Sequence, residues 1–92
     1  MQNLKVGDGV RRKSSIHDHT TGRTGNIVEI LEGQARVLWL REANNVPVYV
    51  NRSKKVGLRT KVKLTFLTPI DNPVDIKEAQ QDYDRLRQIK GY

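Results

Sequence analysis

The chain has 92 residues, 17 of them Lys or Arg against 10 Asp or Glu, with no cysteine and a formal net charge of +7. A chain this short forms one domain and buries only about 60–65% of the surface its unfolded form exposes. With no cysteine it has no disulfide staple and no thiolate to attack a substrate or bind metal, and no apolar run approaches the ~20 residues a spanning helix needs.

Glycines and turn residues recur at short intervals up to about residue 72, a spacing that predicts short strands. The first strand is predicted over Val6 to Lys13, and a polar loop, Ser14 to Gly22, follows it. The next pair, Thr24 to Leu31 and Gln34 to Leu40, is joined by a tight turn at Glu32-Gly33, where glycine tolerates the positive φ of a hairpin. After a polar connection at Arg41 to Asn45, Val46 to Asn51 alternates and reads as a strand near an edge, because Pro47 has no N–H to donate. A basic loop, Asn51 to Gly57, leads to Arg59 to Phe66, which sets Val62, Leu64 and Phe66 on one face and Lys61, Lys63 and Thr65 on the other. Leu67 to Ile70 is expected to turn into a final edge strand.

From Asn72 the period changes. Asn72 suits a helix N-cap and Pro73 the first helical position. Ile76, Ala79, Tyr83 and Leu86 form one apolar stripe, with Asp75 and Glu78 early, Arg87 and Lys90 late, and Gly91 at the stop. An isolated helix of this length is marginal, so the stripe must pack on the sheet or on another chain.

Val6-Gly7-Asp8-x-Val10, then Gly22-x-x-Gly25-x-Ile27-x-x-Ile30, resembles the KOW motif of SH3-like barrels. In this reading Gly7-Asp8 turns the chain into the first strand and Gly25 lets the second strand bend across the first. A bulge returns both isoleucines to the inside. Ala35-x-Val37-x-Trp39 looks like the third strand of such a barrel, and the loop over 14–22 is longer than the usual motif has. The resemblance, carried by residues 4–40, implies a mainly β fold, an SH3-like five-stranded barrel over residues 1–71, to which the apolar stripe adds an amphipathic C-terminal helix over 72–92. KOW-bearing domains contact RNA, DNA or proteins, and related barrels serve as accessory subunits of electron-transfer complexes. Fold alone therefore does not choose the function.

Residues 1–63 hold 13 basic and 5 acidic side chains, whereas residues 64–92 hold 4 and 5. The expected polyanion face comprises Arg11, Arg12, Lys13, Arg23, Lys54, Lys55, Lys61 and Lys63, within which 52–63 contains no acid. Aromatics are 5% of the chain, and with Trp39 inward only Tyr49 is expected exposed on a strand, so backbone and shape contacts with RNA or DNA are favoured over base stacking. The alternative is a protein-interaction surface or homodimer, built from outward Leu38 and Leu40, joined by Val28 if a bulge allows, and the helix residues Ile76, Tyr83 and Leu86. Intramolecular cover of those leucines by the helix competes with that alternative.

His17-Asp18-His19 lacks the further ligands a structural zinc site wants, so it reads as polar loop, with no metal and no cofactor expected. Both histidines sit together in that loop, and Gly22-Arg-Thr-Gly25 lacks the lysine of a phosphate-cradling loop. A non-catalytic module is expected. The opening residues Met1 to Asp8 contain no apolar signal stretch, and a cytoplasmic protein without membrane attachment is the corresponding expectation.

Overall fold

The computed structural model describes residues 3–13, 20–50 and 54–90. His17-Asp18-His19, Asn51, Arg52 and Gly91 lie outside the described residues. Five antiparallel strands form one sheet: β1 (Gly9–Arg12), β2 (Thr24–Leu31), β3 (Gln34–Arg41), β4 (Leu58–Lys63) and β5 (Leu67–Pro69). Their spatial order is β4-β3-β2-β1-β5, with β4 and β5 at the two ends. The helix α1 (Ile76–Lys90) follows. The fold is thus mainly β with one C-terminal helix. No described helix is long and apolar enough to cross a membrane.

The β2–β3 hairpin is the centre of the sheet, and its limits follow the sequence pattern closely. Gly33 takes a φ of 70° in the turn, as the hairpin requires. Inward Ala35, Val37 and Trp39 on β3 join Val10, Ile27, Val48 and Leu67 in the main core, and Leu4, Val62 and Leu64 pack against it. Trp39 donates from Nε1 to Thr60 Oγ1 at 2.8 Å, so its one polar atom is satisfied inside. The β2–β3 register shifts between Ile27 and Glu29, leaving Val28 as the extra, half-buried residue of a bulge. Ile30 therefore shares the face of Ile27, but near the sheet's end it remains 38% exposed, against the expectation that both are inside.

Several limits differ from the sequence pattern. Val6 and Gly7 belong to a turn rather than to β1: Asp8 N donates to Lys5 O, Lys5 N donates to Asp8 Oδ2, and Gly7 has φ 94°. A Cβ on Gly25 would strike the backbone of Leu38 and Trp39, so the close approach is to β3, not to β1 as expected. Val46–Asn51 is no strand within its described part. Only a bridge between Arg41 and Pro47 forms, flanked by Glu42 N to Val46 O and Val48 N to Leu40 O, because Pro47 interrupts any ladder. β4 ends at Lys63, and a single 3-10 turn, Leu64–Phe66, rotates Phe66 out of the alternation that set it in the core.

The helix begins later than expected. Asp75, not Asn72, is the N-cap: its Oδ1 accepts from Glu78 N at 3.1 Å. Val74, just before it, is held by Asn26, whose Oδ1 accepts from Val74 N and whose Nδ2 donates to Val74 O. Ala79 and Tyr83 lie buried over Leu40 and Val56, with Leu38 and Val74 at the margin of this second cluster. Ile76 falls outside the buried stripe and is 51% exposed. The helix is fastened by polar groups as well: Arg41 donates to Asp82 Oδ2 at 2.8 Å and to Asn45 O at 2.9 Å. Gln80 accepts from Val56 N and donates to Lys54 O.

Candidate nucleic-acid interface

Register decides where the cations go. On β3 the odd positions Ala35, Val37 and Trp39 face the main core, which sends Arg36 and Leu38 to the opposite side. Their β4 partners share that side: Lys63 stands opposite Gln34, Lys61 opposite Arg36 and Arg59 opposite Leu38. The helix covers Leu38 and Leu40 at one end of this face and leaves the other end to Arg36, Lys61 and Lys63. Arg36 and Lys61, directly opposed like charges, repel each other, an arrangement that costs stability. Glu29 offsets part of that cost through its ion pair with Arg36 at 3.2 Å. Arg59, Lys61 and Lys63 make no ion pair among the described residues. Glu32 sits exposed in the turn between β2 and β3.

At β4 lies a groove of about 390 Å3, whose lining includes Thr60, Lys61, Val62 and Lys63 of β4 together with Arg12 and Phe66. The Arg12 guanidinium carbon stands 4.5 Å from the centroid of the Phe66 ring, a cation–π contact. Lys13 donates its backbone N–H to Phe66 O, which brings an exposed lysine to the same turn. A larger hollow, about 520 Å3, is bordered by Arg23, Glu42, Pro47 and Tyr49. There the only described cation is cancelled: Arg23 meets Glu42 through two hydrogen bonds, Nε to Oε1 and Nη2 to Oε2.

Of the eight cations expected to gather, Arg12, Lys61 and Lys63 line the groove, and Lys13 is bonded through its backbone to Phe66, which lines it too. Arg23 is mostly buried in its pair with Glu42, its side chain 13% exposed, and is removed from the set. Arg11 faces the same side of the sheet as Lys61, but it lies three strands away and aligns through Thr24 with Arg41, at the far end of β3. Lys54 and Lys55 are exposed beside the helix, where Gln80 binds Lys54 O and also Asp84. Arg11, Lys61 and Lys63 thus share one side of the sheet, with Arg11 at its far end, while Lys54 and Lys55 lie beside the helix.

The alternative partner residues are mostly engaged within the chain. Leu40 and Tyr83 are buried, and Tyr83 donates its hydroxyl to Val50 O at 2.9 Å. Leu38 and Leu86 are half-buried, and only Ile76 of that set is exposed. Arg36 and Phe66 were missed by the sequence reading. Arg36 is one cation outside any basic run, and only its pairing with Lys61 reveals its place. Phe66 continues an alternating pattern, and nothing local announces the 3-10 turn that breaks it. Comparison with protein-family models, with curated proteins and with solved structures gives no match.

Proposed function

We propose that the chain is a non-catalytic module that binds RNA or DNA, chiefly through phosphate contacts from Arg36, Arg59, Lys61 and Lys63 on β4 and its neighbour, with Arg12 and Lys13 across the groove. The observation carrying this reading is the concentration of cations on the edge strand, with like charges directly opposed between Arg36 and Lys61. A structure retains such repulsion at a cost, and a polyanion laid over it removes the cost. The KOW and SH3-like barrel resemblance points the same way. In support of a barrel, β1, β2, β3 and β5 all contribute to the main core, and Val62 of β4 packs against it.

Titration of duplex DNA, single-stranded DNA and single-stranded RNA at two salt concentrations tests this. Binding should fall steeply with salt, and Lys61→Glu with Lys63→Glu should weaken it for all sequences alike. The same pair should lower the slope of log K against log salt by about 1.5 to 2. No chemical-shift change with any of the three at low salt would remove the reading.

A further inference from the structure

We propose that Arg12 and Phe66 form a stacking platform for one unpaired base, so that the protein prefers single-stranded to duplex nucleic acid. This deepens the phosphate-binding reading above and rests on it. Phe66 is 42% exposed although the core closes without it, through Leu64 and Leu67 on either side. Leaving a phenyl ring half in water forfeits burial that the chain, with one phenylalanine, has little to spare. The Arg12 guanidinium fixes the ring's orientation from one side, which prepares it for a planar ligand before any ligand arrives.

Cations stand where the sugar-phosphate chain of a base held there would run. Lys61 and Lys63 are two residues apart on one strand, about 6.7 Å by strand geometry, which is of the order of the separation between consecutive phosphates in an extended strand. Both line the groove together with Phe66, and Lys13 is tied to Phe66 by its backbone N–H to Phe66 O. A concavity of about 390 Å3 falls at the small end of ligand sites and suits one nucleotide, not a duplex. A paired base has its faces covered by neighbours and offers nothing to the ring. An unpaired base of either RNA or DNA offers its whole face.

The test uses oligouridylate, oligothymidylate and a DNA duplex, each of about ten nucleotides, with the full chain. Wild type should bind both single strands more tightly than duplex, and comparison of the two separates RNA from DNA. Phe66→Ala should weaken single-strand binding about tenfold, leave duplex binding unchanged, and leave the salt slope unchanged because no charge is lost. Phe66→Tyr should restore affinity. In the wild-type protein the Phe66 ring protons should move upfield as a base stacks, a measurement independent of how the variants fold. If Phe66→Ala has no effect, or weakens duplex equally, or the ring protons stay in place, the platform is overturned while phosphate binding stands. If wild type binds none of the three, both readings fall together.

Discussion

Asn26 holds both backbone groups of Val74 with one amide, at 2.8 Å and 2.9 Å, and so does for the approach to the helix what a neighbouring strand does in a ladder. Gln80 does the same for the segment before β4, and Tyr83 binds Val50 through its hydroxyl. Each spares a buried or half-buried backbone group, at Val74, Val56 or Val50, from losing water without a replacement. Asn26→Ala should therefore cost about 1–3 kcal/mol in urea unfolding, because it leaves the Val74 N–H and C=O unsatisfied. Amide exchange should quicken first at Val74 and the helix start. A loss below about 0.5 kcal/mol would mean that water takes over both groups. Nothing in the sequence marks Asn26, since a lone asparagine inside a strand pattern reads as a surface residue. Trp39 was legible, because strict alternation with Ala35 and Val37 leaves its side of the sheet in no doubt.

At the scale of elements, the helix N-terminus shows how tertiary contact overrides a local signal. Asn72-Pro73 has the composition of a helix start, yet Val74 is captured by Asn26 and the first helical turn waits for Asp75. Asp75→Ala should destabilise the protein by about 1 kcal/mol, whereas Asn72→Ala should be close to neutral by the same thermal or urea measurement. The opposite ranking would return the cap to Asn72. β2, β3 and the turn between them were legible nearly to the residue, because a glycine turn separates two clear patterns. The segment after Arg41 was not: Val46, Val48 and Val50 alternate like a strand, but Pro47 leaves one bridge where a ladder was expected. Alternation reports which way side chains point. It does not report whether backbone partners exist.

At the scale of the whole molecule, two apolar clusters among the described residues lie on opposite sides of one sheet. The first gathers Val10, Ile27, Val37, Trp39 and Leu67, and the second is covered by the helix over Leu40 and Val56. The excess of positive charge before residue 64 was plain in the sequence, but its division was not, because that depends on strand order. Arg11 and Lys63 sit far apart on one face for a reason no linear pattern contains. β4 is the outermost strand on its side, and no strand pairs with its far edge among the described residues. Such an edge invites a second copy of the protein, and protruding lysines hold copies apart by mutual repulsion. By that principle Lys61 and Lys63 would oppose edge-to-edge pairing, and an anion bound to them would remove the repulsion. Solutions of the protein should turn turbid when a polyanion such as heparin is scarce and clear again when excess anion recharges every molecule, which light scattering follows directly. A flat trace across the whole titration would mean that something other than charge keeps this edge unpaired.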